Sequence, residues 1–181
     1  MVGRSQVLTA AITATRQKGK GWLYEGGIRV PLVIRWPGVI DQGIVSSEVV
    51  SSYDFMPTFC ELLETRPAPG VDGVSFLSHI RTGEPLPERN HYWHYPHYHG
   101  QSGMLPGGAV RSGKYKLIEW YENSILNDGE SAFELYDLEN DIGEFVNLAD
   151  SMKELTIKLA EDMEKWRYEI NAQMPVPNPE Y

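Results

Sequence analysis

An amphipathic segment between residues 151 and 170 places the strongest constraint on the fold of this 181-residue chain. Its apolar side chains recur at helical spacing, at Leu155, Leu159, Met163, Trp166 and Ile170. This spacing predicts an α-helix whose apolar stripe must be covered by a second layer of structure. Ser151 and Glu154 have the spacing of a capping box, which predicts that the helix begins at Ser151.

The residues before this helix predict a small antiparallel sheet. Ala109–Arg111 and Lys114–Trp120 favour strands and flank Ser112-Gly113, a pair suited to a hairpin turn. Phe133–Tyr136 predicts a further strand. One face of such a sheet would cover the apolar stripe of the helix, which gives an α/β architecture.

The first half of the chain predicts one more strand and two short helical segments. In Ile28–Trp36, alternating apolar residues with Val33 on the other face predict a strand buried on both sides. Asp54 is a favourable helix cap, and it places Pro57 in the first turn, where no backbone N–H is needed. Apolar residues in Val74–Ile80 predict another helical turn or two.

Charge and composition exclude several classes of protein. The formal net charge is -9 and the pI is about 5.0, which excludes non-specific nucleic-acid binding, because phosphate contacts need clustered Lys and Arg. The single cysteine, Cys60, excludes a disulfide within the chain. No apolar run reaches the roughly 18 residues of a membrane span. Residues 1–15 lack the pattern of a signal peptide.

A glycine-rich stretch with two lysines is the first candidate site. The sequence KGKGWLYEGGIRVP covers residues 18–31. Glycines let the backbone approach a small ligand, and a lysine ammonium supplies a point charge for an oxyanion. The same residues are also compatible with a flexible surface loop that carries two solvated lysines. Chemistry alone leaves both interpretations open.

A histidine-rich and aromatic-rich stretch is the second candidate site. Residues 91–108, HYWHYPHYHGQSGMLPGG, show no helical or strand period and predict a long loop. The histidines suggest a metal site, although their spacing matches no common zinc framework and Pro96 interrupts any helix. A carbohydrate-binding surface with aromatic faces stacked on sugars is a second interpretation. An aromatic loop packed over the sheet is the third.

Several motifs resemble those of the sulfatase family, within the alkaline-phosphatase-like superfamily. They follow one another in the family's order: K-G-x-x-Y-E-G-G-x-R-x-P from Lys20, D-x-x-P-T from Asp54, D-G-x-S from Asp72, and L-Y-D-L from Leu135, then Glu144 and Asn147-Leu148. The resemblance covers the chain from about Lys18 to its end. Agreement of several ordered motifs makes coincidence a poor explanation.

The resemblance implies a fold and a set of site residues. Residues 1–85 would be the terminal part of the catalytic α/β domain of an alkaline-phosphatase-like fold. Residues 86–181 would form a C-terminal subdomain with the aromatic loop, the antiparallel sheet and the helix. Lys20 falls on the lysine that contacts the sulfate group of the substrate in the family. The stretch W-H-Y-P-H-Y is similar to a segment near the substrate in some bacterial sulfatases, which makes His94 and His97 candidate substrate contacts.

Other parts of the family's catalytic site are not found in this sequence. Sulfatases of this type use a formylglycine, made from the Cys or Ser of a C/S-x-P-x-R motif, and a divalent cation, usually Ca²⁺. The sequence contains no such motif, and no Asp-Asn pair precedes Lys20. Cys60 lies in a predicted helix and is better explained as a small buried hydrophobe. We therefore expect a catalytically incomplete C-terminal part, with the formylglycine and the Ca²⁺ ligands upstream.

Two further sets of charged residues predict structural roles. Arg29 is predicted to be a partner of Glu25. The carboxylates between Leu135 and Asp150 lack the residue order of an EF-hand loop, and they predict a solvated acidic turn.

The resemblance also implies the partners of the intact enzyme. These are a sulfated small molecule or carbohydrate and the remaining N-terminal part of the same enzyme, in a periplasmic or secreted setting. Two alternatives to a sulfatase stay open. In the first, the parent protein is a phosphodiesterase or phosphonate hydrolase of the same superfamily. In the second, the chain is a non-catalytic sugar-binding or truncated product. The upstream motif that supplies the nucleophile would distinguish a sulfatase from a phosphodiesterase or phosphonate hydrolase.

Overall fold

The computed structural model describes residues 18–126 and 132–177. The described chain forms two compact units, of which one combines residues 18–30 with residues from 89 onward and the other is Pro31–Glu88. The predicted boundary between residues 85 and 86 stays a prediction. The prediction made for residues 1–15 lies outside the described residues. None of the helices within these ranges is long and apolar enough to cross a membrane.

The first unit is built on a four-stranded antiparallel sheet whose strands pair in chain order. The strands are β1 Asn90–Tyr95, β2 Gly107–Ser112, β3 Tyr115–Trp120 and β4 Phe133–Asp137. The predicted hairpin and the predicted strand near residue 133 are both confirmed. The register pairs Ser112 with Tyr115, so the turn consists of Gly113 and Lys114, one residue later than predicted.

The prediction of one long loop at residues 91–108 is wrong for its first part, because β1 pairs with β2 along its whole length. Both faces of β1 are covered. On one face Tyr92 stacks on Trp166 with 4.7 Å between the ring centroids, while Trp93 packs against the core on the other face. A strand covered on both faces lacks the alternation of polar and apolar residues that reveals a half-exposed strand.

A short helix, α4 Tyr121–Leu126, follows β3 directly. Helix α5, Lys153–Glu169, covers one face of the sheet. The core on this face consists of Val110, Leu117, Leu135, Leu159 and Met163. The predicted apolar stripe is confirmed at its centre, whereas Ile170 follows the helix and is 51% exposed. The predicted capping box is wrong, because the Ser151 hydroxyl donates to the carbonyl of Leu148 and the helix begins after Met152.

The opposite face of the sheet is covered by residues from early in the described chain. The core on this face consists of Leu23, Tyr24, Met104, Ala109, Ile118, Trp120, Tyr136 and Leu138. A single helical turn, α1 Glu25–Ile28, follows Tyr24 directly. The sheet is therefore a middle layer between α5 and the segment that leads into α1.

The predicted strand at Ile28–Trp36 is wrong. Ile28 ends α1, and residues 29–36 form neither helix nor strand. Val30 and Val33 are 77% and 83% exposed. A strand that is buried on both faces needs neighbouring strands at its edges, and among the described residues no strand pairs with this segment.

The second unit is organised around one buried carboxylate. Its helices are a 3₁₀ turn at Ser52–Asp54, α2 at Phe55–Leu62 and α3 at Leu77–Thr82. The Asp54 carboxylate accepts hydrogen bonds from the N–H groups of Ser51 and Val74, at 2.7 and 2.9 Å. It therefore caps the 3₁₀ turn and makes no capping hydrogen bond to α2, which corrects its predicted role. The D-x-x-P-T and D-G-x-S motifs are thus joined by one side chain.

Replacement of Met163 by alanine tests the packing of α5 on the sheet. The Met163 side chain is fully buried, so Met163→Ala leaves a cavity and should lower the free energy of unfolding by about 2–5 kcal/mol. Urea denaturation followed by circular dichroism measures this loss. Ile157→Ala on the same helix is the matched control, because Ile157 is 59% exposed and should cost less than about 0.5 kcal/mol. Equal losses for the two variants would contradict the assigned face.

Candidate functional site

Lys20 lies in a loop whose two parts differ in burial. We call residues 18–24 the lysine loop. Lys20 is exposed, whereas Leu23 and Tyr24 are buried in the core. The Nζ of Lys18 lies 5.0 Å from the centre of the Trp22 ring, a cation–π distance. The loop is therefore fixed at one end by core packing and presents Lys20 to solvent.

The aromatic residues of the lysine loop contact those of the sheet. Trp22 packs edge-on against Trp120, and Tyr24 contacts Trp120 and Tyr136. The hydroxyls of Tyr24 and Tyr136 both donate to Oε2 of Glu134, at 2.7 and 2.9 Å. Burial and the nearby Glu134 raise the pKa of Tyr24 well above its usual value, so the phenol stays a neutral donor.

Glu25 follows the lysine loop and is 2% exposed. Its Oε1 accepts a hydrogen bond from Nζ of Lys116 at 3.2 Å. Its Oε2 lies 3.5 Å from Nη1 of Arg29 and 4.0 Å from Nη1 of Arg111. The predicted pairing of Arg29 with Glu25 is confirmed. Glu25 thus connects the end of the loop to β2 and β3, where the sequence had predicted a following strand.

Lys116 contacts a second carboxylate, that of Glu144. The Nζ of Lys116 lies 2.9 Å from Oε1 of Glu144, and Oε2 of Glu144 accepts the backbone N–H of Glu25 at 2.6 Å. We call Glu25, Lys116 and Glu144 the ion cluster. Burial raises the pKa of Glu144, while the Lys116 ammonium acts in the opposite direction. The prediction of a solvated acidic turn is wrong for Glu144, because its side chain is fully buried.

A cleft of about 250 Å³ lies beside the lysine loop. Its walls come from residues 21–28 and from residues 93–104, which include Trp93, His94, Tyr95 and His99. The structure thus brings the second candidate stretch next to the first. The cleft combines glycine backbone, aromatic rings and imidazoles close to the Lys20 position.

His94 is held by two protein partners. Its Nδ1 lies 2.6 Å from the hydroxyl of Tyr121, and its Nε2 lies 3.0 Å from the carbonyl oxygen of Gln173. A carbonyl only accepts hydrogen bonds, so Nε2 must carry a hydrogen, and Nδ1 of the neutral ring accepts from Tyr121. The candidate substrate role of His94 stays a prediction, and both ring nitrogens are engaged within the protein.

The remaining histidines of the stretch have different surroundings. His97 is exposed, and its ring packs edge-on against Tyr95 at 5.8 Å. His99 accepts the N–H of Ser102 at Nδ1, at 3.2 Å, and the Ser102 hydroxyl donates to the carbonyl of Gly21 at 2.9 Å. His99 belongs to the predicted histidine-rich site but was not among the two candidate substrate contacts, His94 and His97. Its spacing to Ser102, H-x-x-S within a glycine-rich stretch, is a signal for a tight turn.

The described residues do not fit a calcium site. No group of three or more His, Cys, Asp or Glu side chains in the described ranges is arranged to hold a metal ion. Two acidic residues at and after the end of β4 have protein partners: Asp137 accepts a hydrogen bond from Asn140 and pairs with Lys114, and Asp141 accepts the N–H groups of Phe145 and Val146. No chemical step on this chain is therefore assigned to a metal.

Comparison with known proteins agrees with the motifs. Residues 16–169 match the family model described as N-sulphoglucosamine sulphohydrolase, C-terminal. A sulfatase of Formosa agariphila is 33% identical over 170 residues, 84% of this chain and 29% of the relative. Human arylsulfatase A is 37% identical over 147 residues, 72% of this chain and 28% of the relative. A further match is the structure of BT4656 in complex with its substrate D-glucosamine-2-N,6-O-disulfate. The two sequences are 27% identical and the two folds superimpose with a TM-score of 0.66, over 82% of this chain and 30% of that one.

The chain belongs to the sulfatase family, and its fold is that of the corresponding region of alkaline-phosphatase-like sulfatases. It spans a little under one third of the length of these three proteins. The predicted family and the predicted α/β fold, with a small antiparallel sheet packed by a helix, are confirmed.

Gly21 is predicted to be required next to Lys20. Its φ is 88°, and a Cβ there would lie 3.0 Å from Cε1 of His99 and 3.0 Å from Oγ of Ser102. Gly21→Ala should therefore lower the free energy of unfolding by about 1–3 kcal/mol and shift the His99 imidazole resonances in NMR spectra. Gly100→Ala is the control, because a Cβ there meets no atom within 4 Å. Identical spectra and stabilities for both variants would contradict the close contact.

Proposed function

We propose that the intact protein hydrolyses sulfate esters and that Lys20 of this chain contacts the sulfate group. The observation that carries the proposal is the exposure of Lys20 on a loop whose following residues are buried and ion-paired. A lysine that is only a solvated surface residue would not require the residues after it to be buried and ion-paired. The family match covers this loop, since it begins at residue 16.

The chemistry of the lysine side chain suits this role. An ammonium group is a compact cation with several N–H donors, and it pairs well with an oxyanion. Charge accumulates on the sulfate and the leaving oxygen as the ester S–O bond breaks. A cation fixed near that charge stabilises the transition state more than the ground state, which raises the rate of the chemical step.

We further propose that the substrate is a sulfated carbohydrate. BT4656 binds a disulfated glucosamine, and a relative at 28% identity is named N-acetylglucosamine-6-O-sulfatase, from Bacteroides thetaiotaomicron. The cleft beside the lysine loop has Trp93 and Tyr95 in its wall, and aromatic faces pack well against sugar rings. His94, which lines the cleft, and the exposed His97 are proposed as substrate contacts.

The nucleophile and the metal are proposed to come from residues outside this chain. The sequence has no C/S-x-P-x-R motif from which a formylglycine is made, and its described residues offer no fitting calcium ligands. In the complete enzyme, residues outside this chain would hold the Ca²⁺ ion that supplies positive charge near the sulfate group. What this chain contributes is a positioned cation and one wall of the substrate cleft.

Replacement of Lys20 by alanine tests the proposal in a polypeptide that contains this chain and the rest of the sulfatase domain. Lys20→Ala should reduce kcat/KM for an aryl sulfate by about a hundredfold or more, because a charge contact to the transition state is lost. Since Lys20 is exposed, thermal stability should not change. Steady-state kinetics and thermal denaturation measure the two effects.

Lys18→Ala is the matched control for this experiment. Lys18 lies two residues away and carries the same charge, but its ammonium is placed over Trp22. Its loss should change kcat/KM by less than about threefold, since only general electrostatic attraction is removed. Equal losses in both variants would indicate a non-specific charge effect, and an unchanged rate for Lys20→Ala would remove the proposed role.

A further inference from the structure

Strand β3 carries two ionised side chains that point to opposite faces of the sheet. Lys116 is on the same face as Ile118 and Trp120, which pack against the lysine loop. Glu119 is on the face covered by α5, where its Oε2 accepts a hydrogen bond from Arg167 at 2.7 Å. Alternation of side chains along a strand produces this separation. Each face therefore has its own ion pair to the layer that covers it.

The ion cluster joins three segments that are distant in the sequence. Lys116 is 91 residues from Glu25 and 28 residues from Glu144. The second oxygen of Glu144 accepts the backbone N–H of Glu25, which closes a ring of contacts around the start of α1. Both the carboxylate and the backbone of Glu25 are thereby fixed to the sheet and to the turn that follows β4.

Helix α1, which the ion cluster holds against the sheet, contacts Gly19, the residue that precedes Lys20. A Cβ on Gly27 would lie 2.8 Å from the carbonyl oxygen of Gly19 and 2.1 Å from that of Trp22. The backbone of α1 thus packs directly on the backbone of the lysine loop, without side chains between them. Movement of α1 would displace Gly19 and, with it, Lys20.

We propose that Lys116 and Glu144 are positioning residues for Lys20, because they hold α1 against the sheet and so fix the backbone of the lysine loop. The inference rests on the proposed function of Lys20. It assigns a role in catalysis to two buried residues that do not face the cleft. An apolar side chain at position 116 would fill the space, but it would leave the Glu25 and Glu144 carboxylates without their shared cation.

Hydrogen exchange on the full 181-residue chain tests the structural part of the inference. Glu144→Gln keeps an acceptor for the Glu25 N–H and nearly the same shape, but it removes one of the two carboxylate charges paired with Lys116. Lys116→Met is the stronger variant. Glu144→Gln should increase the exchange of amides in residues 19–28 by about tenfold or more relative to the amides of β2 and β3. Lys116→Met should increase it further.

Arg167→Met is the matched control, because it breaks the ion pair on the other face of β3. It should increase exchange in α5 and leave residues 19–28 unchanged relative to the sheet. Faster exchange of residues 19–28 in the control as well would show that any loss of stability loosens the loop. That result, or unchanged exchange of these residues in Glu144→Gln, would overturn the inference.

Kinetics in a polypeptide that also contains the rest of the sulfatase domain separate the inference from the proposed function. Glu144→Gln should lower kcat by roughly tenfold with KM changed less than about twofold, because the misplaced group acts in the transition state. In a Lys20→Ala background, Glu144→Gln should lower kcat no further. A rate that falls with Lys20→Ala but not with Glu144→Gln overturns the positioning role alone. A rate insensitive to Lys20→Ala overturns the proposed function, whatever the exchange data show.

Discussion

The structure depends on a buried ammonium, that of Lys116, which is shared by two buried carboxylates. A charge removed from water is costly unless its partners are close and well oriented, and both Glu25 and Glu144 lie within 3.2 Å of Nζ. Loss of Lys116 would leave two neighbouring buried carboxylates without their shared cation. The three residues therefore have to be brought together when the sheet, α1 and the turn after β4 assemble. This requirement fixes where the lysine loop can lie.

The four-stranded sheet is a middle layer whose two faces pack against different parts of the chain. One face packs on α5 through Leu159 and Met163, which supplies apolar burial. The other face carries the lysine loop, a cluster of aromatic rings and the ion cluster. Both faces therefore contribute buried core residues, and the proposed contact to the sulfate group, Lys20, lies at the exposed part of the layer that the ion cluster holds.

The part of the fold with clear periodicity could be predicted from the sequence. The stripe of α5 alternates with exposed residues, which gives a readable pattern, whereas the β2–β3 hairpin was found from the turn residues between two apolar runs, although both strands are buried on both faces. Strand β1 was missed because aromatic rings and imidazoles lie on both of its faces, so its sequence shows no alternation of polar and apolar residues. The segment after α1 was assigned as a strand, because a pattern of apolar residues cannot show whether neighbouring strands are present.

Contacts of the site could be predicted where the two residues lie close together in the sequence, and not where they lie far apart. The motif around Lys20 and the pairing of Arg29 with Glu25 are local in sequence, and the pairing was found from sequence alone. The partnership of Glu144 with Lys116 was not, because a carboxylate in an acidic stretch has the appearance of a solvated residue. Its burial is decided by contacts over 28 and 119 residues of sequence. The contact of His99 to the lysine loop was not predicted for the same reason, since it passes through Ser102 to Gly21.

A crystal structure of a sulfatase that contains this chain, with inorganic sulfate bound, is the most direct test of the proposed contact between Lys20 and the sulfate group. We expect Nζ of Lys20 to lie about 3 Å from a sulfate oxygen, while Lys116 remains between Glu25 and Glu144. Sulfate bound in the catalytic site with Lys20 beyond hydrogen-bonding distance would contradict it.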